Sequence, residues 1–188
     1  MSRILIVYST TGGHTRHIGE RLRRVVETPD RQVLLRPIAD TTAADLAAAD
    51  AVVIGASVLY GKHKPEVAAF IGRHQALLES KPNAFFSVNV VARKPGKDMP
   101  EGNPYLQKFL KTIAWTPARL AVFAGVIDYP RYGWLDRTMI RLIMWMGRGP
   151  SDPRGTFEFT DWRRVEAFGA EIAAMVPAAP RPAVPLAV

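Results

Sequence analysis

Apolar residues along the chain fall into short unbroken runs that predict strands, separated by longer amphipathic stretches that predict helices. The runs predict five strands, at residues 4–8, 32–36, 51–55, 84–91 and 120–126. Helical spacing predicts helices starting near Thr15, covering 41–50, starting at Pro65, covering 105–113, and starting from a cap at Thr160 or Asp161. Strands alternating with helices predict one α/β domain over residues 1–176, with a doubly wound, five-stranded parallel sheet.

The segment between the fifth strand and the last helix, residues 127–159, is about 33 residues long and exceeds the usual connection. Within it, residues 133–147 predict an amphipathic helix. Its basic arc of about 140° at 100° per residue holds Asp136, Arg137, Arg141 and Arg148. Apolar side chains fill the rest of the circumference, with Trp134 and Trp145 at one border. This pattern suits a helix lying in a membrane interface, but a helix packed on the domain or on a second copy would give the same pattern.

The end of the first strand predicts an anion-binding loop. Residues 9–15 read Ser-Thr-Thr-Gly-Gly-His-Thr and lead directly into a helix, whose N-terminus offers free N–H groups and a positive dipole end. The Walker pattern and the G-x-G-x-x-G dinucleotide pattern are both absent. The loop is therefore expected to bind a phosphate other than that of a hydrolysed nucleoside triphosphate or of a dinucleotide. A helix cap without a ligand also remains possible.

Ligands of doubly wound sheets bind at the carboxyl ends of the strands, where strand order reverses. The loops at 9–15, 56–62 and 87–94 are therefore expected to meet around one ligand, with a turn at 56–62. The phosphate and ring contacts predicted there are Ser9, Thr10, Thr11, Gly12, Gly13, His14, Thr15, Ser57, Val58, Tyr60, Gly61, Ser87, Asn89 and Val90. Tyr60 could stack on a flat ring or pack on the surface. His14 and His63 are expected to be solvated loop residues.

Composition narrows the function classes. The chain has 188 residues, 48% of them hydrophobic, and no cysteine, which excludes disulfides and thiolate chemistry. A net charge of +8 and a pI near 10.1 favour an acidic partner. Nucleic acid is disfavoured because no recognised module is visible, and no metal site is predicted. Without an apparent signal peptide or spanning run, the protein is expected in the cytosol. The Pro- and Ala-rich tail at 177–188 is predicted to be disordered.

Several segments carry a specific resemblance. They are residues 53–61, 86–95, 129–132, 136–144 and 160–162, and they resemble the bacterial menaquinone-dependent protoporphyrinogen IX dehydrogenases, a flavodoxin-like family. The resemblance implies an FMN-containing enzyme of haem biosynthesis that oxidises protoporphyrinogen IX with menaquinone or ubiquinone as electron acceptor. It also implies peripheral contact with the cytoplasmic face of the inner membrane through about 133–147, and allows a homo-oligomer.

On this interpretation the flavin carries the redox chemistry, and no catalytic side chain can be nominated. Arg93, Lys94, Arg131 and Arg137 become candidates for binding the substrate's propionates, although solvated surface residues would look the same. Three alternatives remain: a flavodoxin-like NAD(P)H:quinone reductase, a soluble FMN electron carrier, and a basic adaptor with an empty phosphate loop. The net positive charge disfavours the carrier, since such carriers are usually acidic.

Overall fold

The computed structural model describes residues 1–146, 149–150 and 152–176. The predicted disordered tail at 177–188, and Gly147 and Arg148 of the predicted amphipathic helix, lie outside the described residues. The main sheet contains β1 (Ser2–Ser9), β2 (Arg31–Pro37), β3 (Ala51–Leu59), β5 (Asn83–Val88) and β6 (Arg119–Phe123), all parallel, in the order β2-β1-β3-β5-β6. A short β4 (Lys62–His63) pairs antiparallel with the end of β3.

Helices cover both faces of this sheet. They are α1 (His14–Val26), α2 (Ala43–Ala48), α3 (Pro65–Glu79), α4 (Pro104–Leu110), α5 (Trp134–Met146) and α6 (Trp162–Met175). Alternate residues of β1 divide the core, because Ile4 and Ile6 pack towards α1 and α6 while Leu5 and Val7 pack towards the other helices. The predicted doubly wound sheet is therefore confirmed.

The order of the sheet reverses between β1 and β3, the two central strands. β1 leads to β2 on one side, whereas β3 leads to β5 and β6 on the other. Their carboxyl ends consequently diverge and leave a crevice, where ligands of such sheets bind.

The described residues between 124 and 161 form a small unit beside that crevice, which we call the inserted unit. Two short strands, β7 (Val126–Asp128) and β8 (Thr156–Glu158), pair antiparallel, and α5 lies between them in the chain. Ile127, Tyr129 and Met144 form its own small core, separate from the two core layers of the sheet.

Four predicted boundaries were wrong. The predicted turn at 56–62 is mostly strand, because β3 continues to Leu59 and turns only at Tyr60 and Gly61. The predicted strand 84–91 stops at Val88, because Asn89 caps a 3₁₀ turn over Val90–Arg93 and its side chain accepts from the Ala92 N–H. The predicted strand 120–126 is divided between β6 and β7. The predicted helix 105–113 is α4, which starts one residue earlier, at Pro104, and ends at Leu110.

The caps of two helices settle alternatives that the sequence left open. Thr42 caps α2 in a reciprocal capping box with Asp45. Asp161 caps α6 by accepting from the N–H groups of Arg163 and Arg164, which leaves Thr160 available for a different contact.

Candidate functional site

A cleft of about 610 Å³ opens at the carboxyl ends of β1, β3 and β5. Its floor and walls are largely apolar, with Val88, Val90, Val91, Val126 and Ile127 among the lining residues. One end meets the loop after β1, and the far wall is formed by α5. The cleft therefore combines a polar end with an apolar body, as sites for amphipathic organic ligands do.

The polar end of the cleft is the loop between β1 and α1. Gly13 caps α1 in the left-handed region, at φ 88°, and its N–H donates to the Thr10 hydroxyl at 3.0 Å. Thr15, the second helical residue, is fully buried, and its hydroxyl finds no hydrogen-bond partner within the described part of the chain. The first N–H groups of α1 also lack intrahelical acceptors. An orphaned hydroxyl beside free N–H groups fits an anionic group with several acceptor oxygens.

Two cationic side chains contact the carbonyl groups of this loop. The Lys64 ammonium donates to the Thr10 carbonyl at 2.9 Å, and the Arg131 guanidinium donates to the Gly12 carbonyl at 3.5 Å. Arg131 also lies 3.8 Å from Asp128. Lys64 comes from the residue before α3, and Arg131 from the turn that follows β7.

The turn between β3 and β4 forms one side of the cleft. Both central residues, Tyr60 and Gly61, have positive φ, 50° and 76°, which is the signature of a tight hairpin turn. A tyrosine rarely adopts this backbone conformation, and strained residues of this kind are concentrated at ligand sites. Tyr60 is 48% exposed and lines the cleft. The turn therefore presents an aromatic face beside the apolar floor.

Beneath that turn lies a buried polar network. His63 is 8% exposed and packs against Phe85 and Phe109, and its Nε2 is 3.0 Å from the Ser87 hydroxyl. The Asn89 amide donates to the same hydroxyl at 3.3 Å. Burial lowers the pKa of His63 to about 4, so the ring is neutral at pH 7. The expectation that His63 is a solvated loop residue was wrong.

The second member of that network, Asn89, is held by several partners. Its side chain exchanges hydrogen bonds with Asn103, the cap of α4, and its own N–H donates to the Phe123 carbonyl at 3.1 Å. The Asn89 N–H is therefore already occupied and is not available to a ligand in the cleft. Asn89 instead fixes the start of the loop that carries Val90 and Arg93.

His14 links the polar end of the cleft to the last helix. Its Nε2 lies 2.6 Å from the Thr160 hydroxyl, which itself donates to the Ala124 carbonyl at 2.9 Å. Because a hydroxyl has one proton, the proton of the first bond must come from His14. Burial lowers the pKa of His14, and Glu158 partly offsets that effect. His14 is half-buried against Trp162, so it too is not a freely solvated residue.

The predicted substrate contacts differ in their surroundings. Arg93, Lys94 and Arg131 line the cleft. Arg93 donates to the Val90 carbonyl at 3.1 Å, and its guanidinium lies 5.8 Å from the centre of the Phe159 ring. Arg137 does not line the cleft, because its guanidinium donates to the carbonyls of Tyr129, Pro130 and Tyr132. In this position it holds the turn that carries Arg131.

The wall opposite the loop after β1 comes from α5. Met139, Ile140 and Met144 line the cleft, and Met144 is 3% exposed. The other side of α5 is uncovered, with Trp134, Leu135, Met139, Leu142 and Trp145 all between 51% and 75% exposed. Met139 belongs to both groups, so the exposed apolar surface is continuous with the cleft. Within the described residues, no helix combines the length and hydropathy needed to cross a bilayer.

The cleft brings together most of the residues predicted from sequence. Those that line it are Thr10, Thr11, Gly12, His14, Thr15, Ser57, Val58, Tyr60, Gly61, Asn89, Val90, Arg93, Lys94 and Arg131. Three predicted ring or phosphate contacts do not line it. Ser9 is buried and donates to Glu66 at 2.6 Å, Gly13 turns the backbone into α1, and Ser87 belongs to the His63 network.

Sequence reasoning missed Tyr105 and the residues of β7 and α5 that line the cleft. Tyr105 is the second residue of α4 and packs near Gly61, where an added Cβ would lie 3.3 Å from its ring. The apolar periodicity of the 133–147 segment was a signal for α5, but periodicity alone does not say which element a helix packs against.

Comparisons with known proteins agree with this geometry. Residues 5–154 match the model of the flavodoxin domain family, a match that indicates flavin binding. The chain resembles a flavodoxin from Bacillus cereus (TM-score 0.52, 14% identity, 94% of this chain and 100% of the other) and a WrbA-like flavodoxin from Agrobacterium tumefaciens (TM-score 0.53, 15% identity, 93% and 96%). These two likenesses bear on the fold alone.

Curated relatives are much closer in sequence. The chain is 42% identical over 171 residues to protoporphyrinogen IX dehydrogenase [quinone] of Escherichia coli strain K12, covering 91% of this chain and 94% of the relative. It is 37% identical over 180 residues to the protein of the same name from Leishmania major, covering 95% and 78%. The resemblance found in the sequence is thereby confirmed: the chain belongs to the flavodoxin-domain family of the protoporphyrinogen IX dehydrogenases [quinone].

Proposed function

We propose that this chain is an FMN-dependent enzyme that oxidises protoporphyrinogen IX to protoporphyrin IX and passes the electrons to a membrane quinone, menaquinone or ubiquinone, in haem biosynthesis. The observation that carries the proposal is the cleft itself. It joins a polar end with an orphaned Thr15 hydroxyl, which suits a phosphate, to an apolar body whose mouth continues into an exposed apolar helix face. The two relatives of the same name support this choice of reaction.

Within the cleft, FMN is the flavin that fits the polar end. Its phosphate would be held by the Thr15 hydroxyl and the free N–H groups of α1, with the loop shaped by Thr10 and Gly13. Tyr60 and the floor residue Val90 would flank the ring system. The bound flavin supplies two-electron chemistry.

The proposed reaction balances over three turnovers. Protoporphyrinogen IX loses six electrons and six protons in three two-electron steps, and three quinones take them up as three quinols. The chain's own residues bind and orient the reactants and keep water away from the apolar floor. Arg93, Lys94 and Arg131 line the same cleft and could pair with the substrate's two propionates.

A membrane surface would supply both apolar reactants. The uncovered face of α5 carries two tryptophans and two leucines, a composition suited to the bilayer interface, and Met139 connects it to the cleft. The net charge of +8 would favour anionic lipid. We therefore assign the face to lipid at the cytoplasmic side of the inner membrane, with a second copy of the chain as the alternative occupant.

An anaerobic turnover assay tests the proposed reaction. FMN-loaded protein is mixed with protoporphyrinogen IX and a short-chain menaquinone or ubiquinone analogue, and porphyrin fluorescence is followed. We expect continued turnover, with more porphyrin formed than the bound flavin alone can account for, only when protein, FMN and quinone are all present. No porphyrin formation above the protein-free rate in the complete mixture would contradict the proposal.

The same preparation separates the rival activities by their electron donor. A flavodoxin-like NAD(P)H:quinone reductase would bleach its flavin rapidly on addition of NADPH, whereas we expect no such bleaching. Rapid bleaching by NADPH with no response to protoporphyrinogen IX would replace the proposed reaction with that one. A protein that binds no flavin at all would favour the adaptor hypothesis.

A further inference from the structure

The loop that forms the polar end of the cleft has two distinct sides. The Thr15 hydroxyl and the first N–H groups of α1 are available to an anion, the Gly13 N–H donates to the Thr10 hydroxyl, and the carbonyl groups of the loop need partners of their own. The Thr10 and Gly12 carbonyls accept from Lys64 and Arg131 respectively. In a trans peptide the C=O and the following N–H point in opposite directions. Lys64 is therefore one peptide group away from the Thr11 N–H, and Arg131 is one peptide group away from the Gly13 N–H, which donates to the Thr10 hydroxyl.

The two cations come from parts of the chain that are far apart in sequence from the loop. Lys64 precedes α3, 54 residues beyond Thr10, and Arg131 is 119 residues beyond Gly12. Lys64 is half-buried, so its charge is only partly screened by water. Arg131 is more exposed, with 68% of its side chain accessible, but it also lines the cleft. Two positive charges thus converge on one short loop.

We propose that Lys64 and Arg131 make the cleft selective for a phosphorylated flavin over the same flavin without phosphate. This inference rests on the proposed function, because it concerns the flavin that the cleft binds. Each cation polarises and fixes a peptide group of the loop, and each adds a favourable charge for a phosphate dianion. Neither effect contributes to the binding of the uncharged ring and ribityl chain. Lys64 is a positioning residue, and Arg131 is both a positioning and a phosphate-steering residue.

The variants Lys64→Met and Arg131→Met test the proposal through the affinities for FMN and riboflavin, measured by quenching of flavin fluorescence. We expect each substitution to weaken FMN binding about tenfold, Lys64→Met more than Arg131→Met, while riboflavin affinity changes less than about twofold. Lys64→Arg and Arg131→Lys should recover most of the FMN affinity. The FMN dissociation constant of the unaltered protein should also rise more steeply with salt than that of the double variant.

Two matched controls remove the same charge from nearby positions. They are Lys62→Met and Arg154→Met. Lys62 lies on the same short strand as His63, Arg154 lies in the same inserted unit as Arg131, and both residues are exposed. They should leave the ratio of FMN to riboflavin affinity unchanged. The opposite change, Glu66→Gln, removes a negative charge beside the loop and should tighten FMN binding.

Three results would overturn the inference. They are equal losses of FMN and riboflavin affinity, no loss of either, or a control variant that matches Lys64→Met. A variant that fails to fold is recognised from the thermal unfolding of the apoprotein, and the salt dependence of the unaltered protein then decides. Failure of the proposed function would look different, because the unaltered protein would then bind FMN but not oxidise protoporphyrinogen IX.

Discussion

The two sides of the cleft are built in different ways. The side formed by β1, β3 and β5 rests on strands that are buried over most of their length, and its polar groups include the network of His63, Ser87 and Asn89. The side formed by residues 126–146 rests on a two-stranded ribbon with its own small core, and it leaves a broad apolar surface uncovered.

The difference between the two sides suits them to different tasks, which are flavin binding on one side and exchange of apolar molecules with a membrane on the other. In the proposed function the polar end holds a phosphate in a fixed position, which requires preorganised donors and few alternative conformations. An uncovered apolar wall suits the exchange of large apolar molecules with a bilayer. Substitutions on the first side should therefore affect stability and flavin binding, and those on the second side should affect membrane binding.

The largest expected effect is on the pH dependence of the free energy of unfolding, and it comes from the side of the cleft formed by β1, β3 and β5. The pKa of buried His63 is about 4, below the 6.5 of an exposed histidine, so the unfolded chain binds a proton more readily than the folded one. This contribution to stability is complete above pH 6.5 and is lost as pH falls towards 4, up to about 3 kcal/mol. His63→Gln keeps an amide near Ser87 but cannot titrate. Urea unfolding at pH 7 and pH 4.5 should show a smaller difference for His63→Gln than for the unaltered protein, and equal differences would contradict the assignment.

The second effect concerns the uncovered wall. Leu135 and Leu142 are 61% and 51% exposed on α5. Replacing both by serine should weaken binding to anionic vesicles about a hundredfold, because each leucine contributes roughly 1–2 kcal/mol on leaving water. Thermal unfolding in the absence of lipid should be nearly unchanged.

Val25→Thr is the matched control, since it removes exposed apolar surface from α1 instead. It should leave vesicle flotation unaffected. If the leucine variant still floats with vesicles but loses a concentration-dependent dimer in sedimentation, the face belongs to a second copy and not to lipid.

A third effect tests the proposed phosphate contact of Thr15 at the polar end of the cleft. Thr15→Val keeps the shape of the side chain but removes the orphaned hydroxyl. FMN affinity should fall about tenfold, as expected for a hydrogen bond to a charged group, and riboflavin affinity should hardly change. The apoprotein should be as stable as before or slightly more so, because a buried hydroxyl without a partner is removed. A marked loss of apoprotein stability would show that the hydroxyl has a structural partner.

The smallest effect is local to the inserted unit. Arg137→Met removes the guanidinium that donates to three carbonyls in the 129–132 turn. Hydrogen exchange at the Tyr132 amide should accelerate, while the global free energy of unfolding should change by less than about 1 kcal/mol. A large global loss would mean that the inserted unit and the sheet unfold together.

The sequence predicted the rigid side better than the uncovered wall. Unbroken apolar runs and alternating helices are strong signals, so the strands around β1 and the loop at 9–15 were located correctly. The turn at 56–62 was misplaced because Ser57 and Val58 are compatible with either strand or turn, and the pairing with β4 decides between them.

Tertiary contacts explain the remaining errors. The local sequence does not indicate that His63 is buried against Phe85 and Phe109. It also does not indicate that the Arg137 guanidinium donates to the carbonyls of the preceding turn at 129–132. Helical periodicity found α5 but assigned Arg137 to an outer basic arc. Ile140 and Met144, which neighbour it on the same helix, line the cleft.

The most direct test of the proposed reaction is an anaerobic half-reaction. FMN-loaded protein is mixed with protoporphyrinogen IX without quinone, and flavin absorbance and porphyrin fluorescence are recorded together. We predict bleaching of the flavin matched by porphyrin formation, with three flavins reduced per porphyrin, and resumed turnover when a quinone is added. Tight FMN binding without any bleaching by protoporphyrinogen IX would contradict the proposed reaction.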